Sequence, residues 1–141
     1  MFLGEATGPT PDGRLASSPL ANSMGPVQGT DTDGPLAMFN SLAKVEMGKA
    51  LGTPVVNVSF TKDVFSPQNR SRLLSLVRTY FKQGGMQLQI SVVDKRTLAD
   101  AMEHPDKHRN LFVRVAGYCA RFVDLQRNFQ EEIASRTIHG V

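Results

Sequence analysis

Proline and glycine set the first limit on what this chain can fold into. Prolines recur at Pro9, Pro11, Pro19, Pro26 and Pro35, and eight of the twelve glycines lie within residues 1–52. Proline removes an amide donor and fixes φ, while glycine loses more freedom than any other residue when a regular element forms. The first 35 residues therefore read as loop, with Pro11-Asp12-Gly13 as a tight turn. A compact domain rarely opens on so long a structureless stretch. Such a segment is either disordered or laid across a scaffold. Leu15, Leu20, Met24 and Val27 favour the second option, with the scaffold lying outside this chain.

From Pro35 the pattern turns helical: Met38, Leu42 and Val45 recur at helix spacing, and Gly52 is available to end the segment. Residues 54–60, PVVNVSF, read as a strand. Ser66-Pro67 supplies an N-cap followed by proline at the first helical position. Leu73, Leu74, Val77 and Phe81 then form the expected buried stripe, and Gly84-Gly85 ends the helix. MQLQISVV at 86–93 alternates, with Met86, Leu88, Ile90 and Val92 on one face and Gln87, Gln89 and Ser91 on the other. A strand with one polar face lines a cavity or meets solvent. Asp94 caps a short helix bearing Leu98, Ala101 and Met102, which His104-Pro105 ends. LFVRV at 111–115 reads as the last strand, Gly117 opens a loop, and a terminal helix follows at 127–136 with Phe129 and Ile133 on one face. The fold class is α/β. Three strands are thin for a closed domain of that class, so partial architecture is expected.

Several functions are excluded. With 141 residues, 40% hydrophobic and 21% charged, the chain has the makings of one ordinary globular domain. It has no apolar run of eighteen residues, so no membrane span is expected. The opening MFLGEATGPTPDG lacks the basic and apolar regions of a signal peptide. A single cysteine, Cys119, rules out an internal disulfide framework and points to a reducing cytoplasm. The net charge of +3 divides into −2 over residues 1–60 and +5 over 61–141. The basic half carries no nucleic-acid motif and reads as a solvated or interface surface. His104, His108 and His139 are not spaced as metal ligands and are expected at the surface. No glycine-rich phosphate loop precedes a helix, so no nucleotide is expected.

One constellation stands apart. Arg114-Val115-Ala116-Gly117-Tyr118 is followed by Arg121-Phe122, by Leu125 and by a closing Arg136-Thr137. A lone glycine at 117 would read first as a turn between strand and helix. The longer stretch NLFVRVAGYCARFVDL, with QEEIASRT, strongly resembles the C-terminal glycyl radical domain of the pyruvate formate-lyase-like enzymes. TGPTPDGRLASSPLANSMGPVQGTDTDGPLAMFNSLAKVE resembles the segment preceding that domain, and GTPVVNVSF continues it. The resemblance covers essentially the whole chain in family order. SVVDKRTLADAMEHPDKHRNLFVRVAGY looks closer to the diol dehydratase, choline lyase and arylacetate decarboxylase branch than to formate acetyltransferase.

The resemblance implies the C-terminal portion of a ten-stranded α/β barrel with a buried C-terminal glycine loop. Residues 1–60 would be a loop-rich, barrel-derived segment and residues 61–141 the glycyl radical domain. Gly117 would store a radical on its Cα. An activating enzyme using S-adenosylmethionine and a [4Fe-4S] cluster would remove one Cα hydrogen, and this chain would bind no cofactor or metal itself. The radical would then take hydrogen from a catalytic cysteine, whose thiyl radical attacks substrate. Arg114 and Tyr118 would hold the loop. Cys119 is not that cysteine: the family's catalytic cysteine lies far upstream, and relatives commonly carry serine at position 119. A partly buried, idle thiol is expected there. No residue matches the missing cysteine or the acidic base that accompanies it in the dehydratase branch. Gln87 and Ser91 stand where relatives often have histidine and asparagine. Asp12, Gly13 and Arg14 keep the family's turn-plus-arginine, with Arg14 expected to brace the barrel mouth or meet solvent.

The chemistry explains the choice of glycine. A Cα radical is delocalised between the amide nitrogen and the carbonyl, which needs a nearly planar Cα that a side chain would hinder. Oxygen would add to that radical and cleave the backbone at residue 117. Three readings follow: a C-terminal piece of a glycyl radical enzyme that needs a large barrel subunit or full-length enzyme, an autonomous radical carrier, or an inactive remnant. All are cytoplasmic; none involves nucleic acid or membrane. In the first two, Cys119→Ser should retain the glycyl doublet in electron paramagnetic resonance after activation. Loss of the doublet would place that thiol in the radical chemistry.

Overall fold

The longest helix begins at the expected serine. The computed structural model describes residues 4–50, 52 and 54–140. Helix α1 spans Gly34–Leu42, strand β1 Val55–Phe60 and helix α2 Pro67–Lys82. Strand β2 covers Gln87–Val92, α3 Lys95–Glu103, β3 Phe112–Arg114, β4 Cys119–Arg121, α4 Arg127–Ser135 and β5 Ile138–His139. Ser66 accepts a hydrogen bond from the Asn69 amide to cap α2, and Asp94 does the same for α3 from Arg96. Gly84, at φ +99°, turns the chain out of α2. Gly85 is needed for a different reason: a Cβ there would lie 2.3 Å from the Tyr80 ring.

Tyr80 anchors the first of two cores. It is fully buried, its ring centroid 4.9 Å from that of Phe39, and its hydroxyl donates to the Gln87 carbonyl at 3.4 Å. Burial pushes its phenol pKa up. Met38, Val56, Val58, Phe60, Val64 and Leu73 share this core. The stripe of α2 thus runs through Leu73, Leu76, Val77 and Tyr80, whereas Leu74 and Phe81 are 48% and 44% exposed. Those two lie seven residues apart on the solvent side of the packed line, which is why an apolar count alone misplaced the stripe.

Strand β1 is central in a three-stranded sheet of order β2-β1-β5, parallel throughout. Helix α2 provides the crossover that a parallel β1–β2 pair requires. Val56, Val58 and Phe60 face the first core, leaving Asn57 and Ser59 on the other face. Strand β2 is half-buried along nearly its whole length, so its alternation is not a clean inside–outside division. β3 and β4 form an antiparallel hairpin over a second core of Leu98, Ala101, Val113, Val115, Phe122 and Ile133. Phe129 and Ile133 of α4 both join it.

The architecture is α/β as expected, with five strands among the described residues in place of three. β4 and β5 are three and two residues long, below the run length that signals a strand, and LFVRV is consequently not the last strand. The described residues close no ten-stranded barrel. Helix α1 ends at Leu42, and the chain continues in turns past Val45, which is 48% exposed.

Among the described residues the front segment has no helix or strand before Gly34, yet its scaffold lies within this chain. The Met24 amide donates to the Val55 carbonyl at 3.0 Å. Asp31 meets His139 at 3.0 Å and accepts from the Thr137 hydroxyl at 2.5 Å. Arg14 is half-buried and donates to the carbonyls of Ser18, Thr7 and Gly8, tying the front loop together. His139 is 6% exposed, a correction to its expected surface position. It is carried inside by the two-residue pairing of β5 with β1. His104 and His108 both reach Asp100, at 2.9 and 2.5 Å. Hydrogen bonds from His108 and then His104 hold its carboxyl below the usual carboxylate range. Among the described residues no cluster suits a metal ion, and no helix is long and apolar enough to cross a membrane.

Gly85→Ala should destabilise the chain by about 1–3 kcal/mol in urea unfolding, the usual cost of overfilling a packed site. An unchanged midpoint would show that the Tyr80 ring moves aside freely.

Candidate functional site

The motif centred on Gly117 forms the tip of the second-core hairpin. Phe112 pairs with Arg121, Val113 with Ala120 and Arg114 with Cys119. Beyond them the Val115 amide donates to the Tyr118 carbonyl at 3.0 Å, leaving Ala116 and Gly117 as a two-residue tip. Hairpin turns this short usually demand positive φ, and glycine is the usual answer. Gly117 does not supply that: its φ lies outside the left-handed region, and a Cβ there would meet nothing within 4 Å. Neither backbone conformation nor packing requires a glycine at the tip.

The turn is also open. Among the described residues, the Tyr118 amide does not return a bond to the Val115 carbonyl. That carbonyl instead accepts from Arg136 Nη2 at 2.5 Å and from Asn22 Nδ2 at 3.4 Å. Arg136 Nη1 donates to the neighbouring Arg114 carbonyl at 2.6 Å. Glu132 completes the arrangement, accepting from Arg136 Nε at 3.1 Å and Nη2 at 2.8 Å. The two side chains are 18% and 12% exposed, so this paired fork is shielded from solvent far better than a surface ion pair. Gln130, also on α4, donates to the Phe122 carbonyl at 3.0 Å. Helix α4 therefore grips both legs of the hairpin by main-chain oxygens.

The residues singled out in the sequence come together at this tip. Gly117 is exposed, as is Tyr118 at 57%. The buried glycine loop that was expected is thus not formed within this chain, because no described element lies over the tip. The Arg114 side chain approaches Cys119 Sγ at 3.8 Å, and its Nε is buried without a partner. The hydrogen bonds on the tip's carbonyls come from Arg136 and Asn22. Cys119 is exposed, a correction to the partly buried position expected, since it starts β4 at the open end of the hairpin. Arg136 was visible in the sequence only as the end of the motif. Its i,i+4 spacing from Glu132 was the signal that could have found the fork.

Beneath the hairpin lies a cavity of 270 Å³. The polar faces of β1 and β2 line it through Asn57, Ser59, Gln89 and Ser91, and Arg114 and Cys119 line it from the hairpin. The cavity role anticipated for a polar strand face is what Gln89 and Ser91 fill. Asn57 Oδ1, like Arg114 Nε, is buried and unpartnered.

Comparison with known proteins agrees with this geometry. The glycine radical family model matches residues 20–123. Trans-4-hydroxy-L-proline dehydratase of Clostridioides difficile is 38% identical over 97% of this chain, which spans 17% of that enzyme's length. A solved structure concerned with 1,2-propanediol dehydration in Roseburia inulinivorans superimposes with a TM-score of 0.90 and 42% identity, over 96% of this chain and 17% of that one. The B12-independent glycerol dehydratase of Clostridium butyricum gives a TM-score of 0.91 and 39% identity, over 98% and 18% of the respective chains. A glycine that the fold does not need therefore lies inside a family match covering most of the sequence, and the chain belongs to the glycyl radical family, whose glycyl radical domain it carries.

Proposed function

We propose that Gly117 carries an organic radical on its Cα and stores it for a larger catalytic body. The observation that carries this reading is the absence of any conformational or packing demand for glycine at 117, within the family match. What a glycine uniquely offers there is a Cα free to flatten, with delocalisation into the flanking peptide groups. Removal of one Cα hydrogen by an activating enzyme that uses S-adenosylmethionine and a [4Fe-4S] cluster would generate the radical. The exposed tip leaves that Cα open to such a partner. Arg114 and Tyr118, on either side, are assigned to seating the loop once it is covered.

The cover, the catalytic cysteine and the substrate pocket belong to a large body supplied by further chain or by a separate subunit. Two features support this. The chain spans 17% of the length of its hydroxyproline dehydratase relative. It also leaves apolar surface uncovered: Leu36, Phe65, Met86 and Phe112 are each more than half exposed, and β2 is an edge strand. Parallel sheets are normally covered on both faces, and an open edge invites another strand. The division at residue 60 belongs to the same reading, with β1 on the barrel-derived side hydrogen-bonded to β2 and β5 of the radical domain. The dehydratase relatives support a dehydratase or lyase reaction, and an oxygen-sensitive radical used anaerobically in the cytoplasm belongs to the same proposal.

The test is anaerobic electron paramagnetic resonance after incubation with a matched activating enzyme, reductant and S-adenosylmethionine, with and without a candidate large partner. The expected result is a glycyl doublet that disappears in Gly117→Ala. That variant should keep its unfolding free energy within about 1 kcal/mol, because the added methyl meets open space. A doublet requiring the large partner indicates a split enzyme, and one formed without it indicates an autonomous carrier. A doublet that survives Gly117→Ala, or none from folded chain with a demonstrably active activator, overturns the assignment.

A further inference from the structure

We propose that Arg136 is the positioning residue that sets the pose of the glycine tip, by replacing the hydrogen bond that the open turn lacks. The functional consequence rests on the assignment of the radical to Gly117; the structural claim does not.

The tip has few holds of its own. Among the described residues, the amides of Ala116, Gly117 and Tyr118 donate to no backbone group. The Val115 carbonyl, which would close the turn, is turned away from Tyr118 and toward Arg136 Nη2. Two consecutive carbonyls, Arg114 and Val115, accept from one guanidinium. Consecutive carbonyls of a regular strand point to opposite sides, so the chain must leave strand geometry at Val115 for one cation to bind both. Arg136 thus fixes the departure angle of the segment that carries Gly117. The guanidinium is itself held by the two oxygens of Glu132. Glu132 also accepts from Gln28 of the front loop at 3.3 Å, and Asn22 of that loop adds a longer bond to the Val115 carbonyl. The pose of the tip is therefore read out from α4 and the front loop together.

Only arginine fits this task. Its rigid planar fork offers donors on two edges at once, whereas an ammonium is a point donor on a flexible stem. With the fork broken, the β3–β4 ladder below Arg114 and Cys119 is untouched. Residues 115–118 would then pivot about that last pair while the second core stays packed. Once the tip is covered by the larger body of the proposed function, a pivot at that point would bring Gly117 out toward an activating enzyme and, by the same movement, toward oxygen.

The experiment compares the full chain with Arg136→Gln, Arg136→Lys and Ile133→Ala. The last removes buried bulk from the same helix, as Ile133 is 6% exposed, and leaves the fork in place. Amide hydrogen exchange at Val115 should rise about tenfold or more in Arg136→Gln, and by less in Arg136→Lys. With the large partner present, the glycyl doublet should build up faster in Arg136→Gln and decay faster on exposure to trace oxygen. Ile133→Ala should lower the thermal midpoint without either change. The proposal is overturned if Val115 exchange in Arg136→Gln does not exceed that in Ile133→Ala. It is equally overturned if exchange rises but the radical builds up and decays at the wild-type rates. A wild-type chain with no doublet would sink the Gly117 assignment instead, and the exchange measurement would still decide whether Arg136 holds the tip.

Discussion

Strand β1 is the member on which the rest of the structure hangs. Its one edge carries β2 over six residue pairs, and its other edge carries β5 at Ser59 and Phe60. Its first residue, Val55, accepts from Met24 of the front loop. Its side chains alternate between the first core and the polar cavity under the hairpin. Three segments far apart in sequence therefore meet on one backbone. The buried contact of Asp31 with Thr137 and His139 binds two of them again, close to the same place. Side chains 5% and 9% exposed make this His–Asp contact an inner tie between the front loop and the last strand.

Much of this fold is legible in local patterns. Ser66-Pro67, Asp94 and Gly84 mark element ends through chemistry that acts within four residues, and each is found at the boundary it signals. What local pattern could not reveal depends on distant partners. β5 exists because β1 offers it an edge, and β4 because β3 lies opposite; neither run is long enough to announce itself. The inward position of His139 follows from β5, and the open tip follows from the reach of Arg136 across 21 residues to Val115. The motif around Gly117 was plain in the sequence, while the side chains that hold it were recognisable only as its ending.

The glycines divide by the reason each is glycine. Gly84 needs backbone freedom, shown by its φ of +99°. Gly85 needs the absence of a side chain, shown by the ring of Tyr80 against the site of its missing Cβ. Gly117 meets neither need. Such a residue is conspicuous in a structure and silent in a composition; on the function proposed above, the requirement it meets concerns the reactivity of the Cα itself. The fork of Arg136 and Glu132 holds the hairpin through the main-chain oxygens of Arg114 and Val115.

The hairpin has a bearing on what damage would look like. A break at residue 117 falls between two legs that are joined independently of the tip. The β3–β4 ladder spans it, Phe122 is fully buried in the second core, Gln130 and Arg136 bind one leg each, and β5 is paired to β1. The short tail would thus remain seated after scission, like a zip that stays closed with its slider gone. A poisoned molecule would keep the outline of an intact one, occupy the same place in any assembly, and betray its injury only when denatured.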